Sequence, residues 1–197
     1  MKPLSLDERK IILEKIKSDL IKIFKTDLIG ATVYGSTLCE DFCLASDIDI
    51  LLVFKKIKPV YLKSISDLVK KFKQKTGIRL DINIHTAQET SKIRKNMFWH
   101  NNRSLYMQKE MYLYGKQLIG ENCFVNINPP ATELKKECVK LIHAFKYHTR
   151  KFLIKGGYSN DDVRQAVKFC LYGVLYYLAY QGVFPKTKTE AYKLFGG

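Results

Sequence analysis

The stretch Asp47-Ile48-Asp49-Ile50-Leu51-Leu52-Val53-Phe54 decides how the chain is to be read. Its run of aliphatic and aromatic residues predicts a strand over residues 47 to 54. Aspartate is depleted in strands, because a short charged side chain fits a half-buried pleat poorly. Two stand here nonetheless, two positions apart. The strand period of two puts both carboxylates on one face, roughly 7 Å apart along the chain. The opposite face, Ile48, Ile50, Leu52 and Phe54, is apolar and predicts packing against helices.

Upstream, Ser5 and Glu8 form a capping-box pair, and apolar residues at 6, 13, 16, 20, 23 and 24 predict an amphipathic helix over 6 to 26. Ile29 to Tyr34 reads as a short apolar strand that ends in Gly35-Ser36. Thr37 and Glu40 repeat the capping-box pattern and predict a short helix to about Ala45. Downstream, residues 59 to 76 read as a helix with Leu62, Ile65, Leu68, Val69 and Phe72 inward and Lys63, Lys70, Lys71 and Lys73 outward. Gly77 stops it. Arg79 to His85 alternates as a strand, with Asp81 on the face opposite Leu80, Ile82 and Ile84. Helices near 88 to 100 and 103 to 111, and a short connection from Gly115 to Gly120, close this half. Asn126 to Pro130 is the boundary, since paired prolines block both helix and central strand. Beyond it the pattern is helical: 131 to 155, 160 to 182, and a short last helix capped by Thr187 and Glu190. The fold class is α+β, with a mixed-sheet domain over residues 1–125 and an all-α bundle over residues 131–197.

The 197 residues are 46% hydrophobic and 27% charged, which excludes a disordered or fibrous chain. With 34 Lys+Arg against 19 Asp+Glu, the net charge of +15 raises the prior for phosphate-bearing partners. The excess is mostly lysine and is spread over both halves, so it marks no groove by itself. No apolar leader interrupts the charged start, so a secretory signal is not expected. Five cysteines without framework spacing (39, 43, 123, 138, 170) predict free thiols in a cytoplasmic protein. Cys39 and Cys43 lack the second pair that a zinc site needs and read as small buried hydrophobes. Phe169 to Phe184 carries no charge but falls short of the roughly 20 residues of a membrane span. It reads as a buried helix, and no membrane association is expected.

If the strands bearing Asp47, Asp49 and Asp81 are neighbours, three carboxylates meet on one sheet face and repel. A divalent cation relieves that repulsion, and oxygen-only ligands select a hard ion such as Mg²⁺ or Mn²⁺. Two such ions can bridge a triphosphate and activate an acceptor hydroxyl. Gly35 lets backbone approach a ligand closely, and the N-terminus of the helix expected to follow offers N–H groups, with the Ser36 hydroxyl, to phosphate.

Gly35-Ser36, ten residues, then Asp47-x-Asp49 resembles the signature of minimal nucleotidyltransferases of the polymerase-beta-like superfamily. Asp81 looks like that superfamily's third carboxylate, and Tyr112-Leu113-Tyr114-Gly115-Lys116 looks like its Leu-Tyr-Gly element. The resemblance covers residues 6 to 120. It implies transfer of a nucleoside monophosphate from an NTP, ATP foremost, to an acceptor hydroxyl, with pyrophosphate released and two divalent metals. It implies Asp47, Asp49 and Asp81 as catalytic and metal-binding residues, and Gly35 and Ser36 as the phosphate-binding ones. Asp81 is the expected base, with Glu133 or Glu137 as alternatives.

The helical half, from Asp161-Asp162-Val163-Arg164 to Leu194-Phe195, resembles HEPN domains and, more distantly, the substrate domains of aminoglycoside nucleotidyltransferases. The one match to the HEPN ribonuclease motif, Arg94 to His100, falls outside that half and reads as chance. The implied acceptors are an RNA 3′ end, a protein side chain or a small antibiotic, and a homodimer through the helical domain is compatible. The basic charge favours RNA, and the few acids of the helical half disfavour an aminoglycoside. The alternative is a non-catalytic, antitoxin-like module, against which the retained carboxylate set argues. Arg79, Asn83 and His85 share the Asp81 face. Arg79 either binds phosphate or pairs with Asp81 or a nearby acid, and His85 reads as a satisfied strand-end residue.

Overall fold

The second strand is buried on both faces: Ile48, Ile50, Leu52 and Phe54 line one, Leu51 and Val53 the other, and Asp49 at its start is the half-buried exception. The computed structural model describes residues 5–39, 46–91, 104–120, 128–155 and 159–196. Four strands, β1 (Leu28–Tyr34), β2 (Ile48–Phe54), β3 (Leu80–Thr86) and β4 (Lys116–Gly120), form one mixed sheet in the order β3-β2-β1-β4. β1 runs antiparallel to β2 and to β4, whereas β2 and β3 are parallel. A parallel pair needs a crossover, and α2 (Pro59–Thr76) supplies it. Pro59 opens that helix where a missing N–H costs nothing, and Gly77 closes it in the left-handed conformation at φ 73°.

Ile48, Ile50, Leu52 and Phe54 pack with Leu13, Ile16, Leu20 and Phe24 of α1 (Leu6–Phe24) and with Tyr61, Ile65, Leu68 and Phe72 of α2. Both helices therefore cover the apolar face. Phe24 meets the Phe54 ring edge-on at 5.1 Å, and Tyr61 stacks on Phe54 at 5.3 Å. Such pairs add to the area term about 0.5–1.5 kcal/mol each. The Tyr61 hydroxyl donates to Asp27, which also pairs with Lys58 at 3.0 Å. These bonds hold the Asp27 carboxyl below its ordinary pKa.

Several elements differ from the sequence reading. Gly35–Leu38 is one 3-10 turn rather than the start of a helix, and Glu40 to Ala45 lie outside the described residues. Residues 116–120 form edge strand β4, where a connection was expected; five residues between two glycines show too little alternation to reveal it. The helix expected near 88 to 100 is described only as the turn α3 (Ala87–Thr90), and the Arg94 to His100 motif lies outside the described residues. α4 (Ser104–Tyr114) runs on through Tyr112-Leu113-Tyr114, so the expected Leu-Tyr-Gly element ends a helix.

The chain divides into two compact units, residues 1–93 with 110–128, and residues 94–109 with 129–197. In the second, α5 (Ala131–Lys155), α6 (Asn160–Tyr180) and α7 (Lys188–Gly196) pack with the first turns of α4. Tyr176 is fully buried and meets Tyr106 edge-on at 4.9 Å. The uncharged Phe169 to Phe184 stretch gives one face to this core, with Leu175, Tyr176, Leu178 and Ala179 buried, but leaves Tyr177, Tyr180 and Val183 exposed rather than the whole helix buried. Among the described residues no helix is long and apolar enough to cross a membrane. Cys39 and Cys138 are buried free thiols, Cys170 is an exposed one, and Cys43 and Cys123 lie outside the described residues.

Glu137 of α5 accepts from the Leu105 and Tyr106 N–H groups at 3.0 and 2.8 Å, satisfying the first turn of α4. Burial raises its pKa. Its carboxylate is a cap, which removes it as a candidate base. Glu137→Ala should cost about 1–3 kcal/mol by leaving those donors unpaired, read as a lower urea midpoint. At the start of α6, Lys155 and Ser159 hold Asp162 down at about 2 against an ordinary 3.8. A lowered carboxylate stabilises the fold above its unfolded pKa and loses that contribution as pH falls through the folded value. Amide protection at the α6 N-terminus should therefore fall between 3.8 and about 2, and Asp162→Asn should flatten that dependence.

Candidate active site

The strand register brings Asp49 and Asp81 together. Asp49 is the Cα partner of Asp81 across the parallel β2–β3 pair, and of Tyr34 across the antiparallel β1–β2 pair. Tyr34, Asp49 and Asp81 thus form one row over three strands, with neighbouring strands about 4.8 Å apart. The row lies on the sheet face opposite the one covered by α1 and α2. Asp49 is half-buried, and Asp81, on edge strand β3, is exposed.

The turn after β1 is built against this row. Gly35 sits at φ 68°, a conformation that side chains rarely adopt. A Cβ there would stand 2.7 Å from Asp49 Oδ2. Absence of a side chain at Gly35 is therefore what lets the Asp49 carboxylate lie against the turn. Ser36 follows, half-exposed, and its carbonyl accepts from the Cys39 N–H at 3.0 Å. Buried Thr37 donates to the Asp47 carbonyl at 3.4 Å, tying the turn to the entry of β2. Arg9 of α1, 8% exposed, donates to the Cys39 carbonyl and anchors the exit of the turn.

Asp47 behaves differently from the other two acids. It precedes β2 by one residue, and its Oδ2 accepts from Arg79 Nη2 at 2.8 Å. Of the pairings open to Arg79 in the sequence, the one formed is with Asp47. Asn83 donates to the Tyr34 hydroxyl at 2.8 Å, so the phenol spans from β1 to β3. Tyr34 is 3% exposed. Burial first, and then the charges of Asp49 and Asp81, push its pKa up. It remains a neutral phenol beside the acids and is no base.

Asp49 and Asp81 suit a hard divalent cation in that the donors are all oxygen and in register on neighbouring strands. The expected three-acid cluster is incomplete, because among the described residues no three His, Cys, Asp or Glu side chains come together as a metal-holding group. Asp47 is held by Arg79 instead. Glu133, the other expected alternative base, pairs with Lys136 at 3.3 Å.

Tyr34 and Arg9 carry roles that the sequence reading missed. Tyr34 read only as the last apolar residue of a strand, although its position directly before Gly35-Ser36 was the available signal. Arg9 sat among solvent-facing charges, and nothing in helical periodicity marks it as buried.

No protein-family profile matches the chain, and a search of curated proteins finds no relative. Among solved structures, a spectinomycin adenyltransferase from Enterococcus faecialis, determined with ATP and spectinomycin, superposes with a TM-score of 0.63 at 16% identity. The match covers 97% of this chain and 82% of that one, and the chain has this nucleotidyltransferase fold. A tri-AMPylated Shewanella oneidensis HEPN toxin with its MNT antitoxin matches at TM-score 0.36 and 16% identity, over 73% of this chain and 91% of that one. A mutant of the toxin–antitoxin MntA–HpeT matches at 0.38 and 15%, over 71% and 90%. Both of these likenesses are too loose to carry an architecture.

Gly35→Ala should destabilise the protein by about 1–2 kcal/mol from the left-handed backbone alone. It should also drive Asp49 off the turn. Denaturant melts of Gly35→Ala against the double variant Gly35→Ala/Asp49→Ala separate the two effects, because only the clash is relieved in the double variant.

Proposed function

We propose that the chain is a metal-dependent nucleotidyltransferase that moves AMP from ATP to an acceptor hydroxyl and releases pyrophosphate. The observation that carries this reading is the Asp49–Asp81 register, with the Asp49 carboxylate seated against the Gly35 turn because that position carries no side chain.

The Gly35-Ser36 turn holds the β- and γ-phosphates through backbone N–H groups and the Ser36 hydroxyl. Thr37 and Arg9 keep that turn in place from behind. Asp49 and Asp81, joined by Asp47, would hold Mg²⁺ or Mn²⁺, two ions in a complete site, and such ions would supply charge neutralisation for the triphosphate and a lowered pKa for the acceptor hydroxyl. Asp81, the most exposed acid of the row and on the edge strand, faces the acceptor and takes its proton. The acceptor oxygen bonds to the α-phosphorus as the bond to the α,β-bridging oxygen breaks, and the electron pair leaves with pyrophosphate. Tyr34 and Asn83 wall the acids with neutral groups, which lowers the local dielectric and strengthens their grip on a cation.

Likeness to a protein solved with ATP and spectinomycin favours ATP as donor and a small-molecule hydroxyl as acceptor. The net charge of +15 keeps an RNA 3′ end as the second acceptor class, with a protein hydroxyl third. A non-catalytic module has no physical reason to keep two like charges in register on neighbouring strands.

Radiolabelled ATP and Mg²⁺, incubated with the protein and separately with spectinomycin, RNA or cell protein, should transfer label to one of the three. Asp49→Asn and Asp81→Asn should each lower that transfer by at least about 100-fold. Label transfer to none of them, together with no Mg²⁺-dependent thermal shift by ATP, would sink the enzyme reading.

A further inference from the structure

Arg79 stands where the sheet delivers it rather than where its own flexibility takes it. Its carbonyl accepts from the Ile48 N–H at 2.9 Å, which fixes its backbone beside the start of β2. From there the guanidinium meets Asp47 at 2.8 Å, the acid that is missing from the Asp49–Asp81 row. A resident cation thus occupies one carboxylate that a divalent ion would share.

We propose that Arg79 is an exchangeable counter-ion: it holds Asp47 while the site is empty, is displaced from it by a divalent cation, and then binds the triphosphate. This rests on the nucleotidyltransferase reading of the site. Three observations support the exchange. First, the pair is exposed, at 63% for Arg79 and 33% for Asp47. Exposed pairs shift an equilibrium by no more than about five-fold, so the bond is weak enough to give way to a doubly charged ion. Second, the Thr37 hydroxyl ties the phosphate turn to the Asp47 carbonyl. Asp47 is thus the residue that both the turn and Arg79 bond, the turn through its carbonyl and Arg79 through its carboxylate, so the guanidinium starts one residue away from the turn that would hold the phosphates. Third, arginine presents a planar fork of donors that matches phosphate oxygens two at a time, which a lysine at this position would not.

The two halves of the role have opposite signs, which separates them from structural damage. Mn²⁺ alone, and then a non-hydrolysable ATP analogue in saturating Mn²⁺, are titrated calorimetrically into wild type, Arg79→Gln and Arg79→Lys. Arg79→Gln should bind Mn²⁺ about two- to five-fold more tightly. The same variant should bind the analogue about ten-fold more weakly, having lost a charge-assisted contact. Arg79→Lys should leave Mn²⁺ affinity near wild type and recover only part of the analogue affinity. Weakening of both ligands in Arg79→Gln, or no change in either, overturns the exchange while leaving the nucleotidyltransferase reading intact. A wild-type protein that binds neither Mn²⁺ nor the analogue overturns both.

Discussion

Two like charges on neighbouring strands are the constraint around which the N-terminal unit is organised. Asp49 and Asp81 are in register across a parallel pair, which sets two acidic side chains next to each other on one sheet face. What holds them there is the other side of the same strand. Slipping β2 by one residue would relieve the acids but turn Ile48, Ile50, Leu52 and Phe54 out of the core they share with α1 and α2. Apolar burial on one face thus fixes an electrostatic conflict on the other.

Neighbouring groups are arranged to make that conflict useful. At Gly35 the chain omits a side chain that would collide with Asp49. Tyr34 and Asn83 bring hydrogen-bonding groups without adding charge. Arg79 supplies a positive charge, but to Asp47 and at the solvent edge rather than between the two aligned acids. Asp47 thus has a positive partner supplied by the chain itself.

Legibility in the sequence follows the strength of the local signal. Residues 47 to 54, 59 to 76 and 79 to 85 announced their elements because alternation and helical period are long-lived over seven or more residues. Gly35 and Asp49 stand out in the sequence because a motif of fixed spacing joins them, and Asp81 because a carboxylate interrupts an alternating strand. β4 was not, since an edge strand of five residues takes its identity from pairing with β1 rather than from its own pattern. The Asp47–Arg79 pairing was equally hidden: both residues were visible, but choosing between Asp47 and Asp81 depends on where each strand begins. Arg9 required knowing that the exit of a turn thirty positions later would need a donor.

The parallel pairing of β2 and β3 has a consequence for the order in which the protein forms. β1 and β2 meet as antiparallel neighbours, and that pairing sets Asp49 beside Tyr34 and Gly35. Asp81 joins only after the chain has passed through all of α2 and that helix has docked, because a parallel partner is reached by crossover. Loop closure on that scale is slow relative to local pairing. Repulsion between the carboxylates is thus absent from the early, marginal stages of folding and arises only once the core that tolerates it is in place. Assembly of the acidic row reports completion of the crossover, so a chain whose third strand has not docked presents no pair of acids to capture a cation.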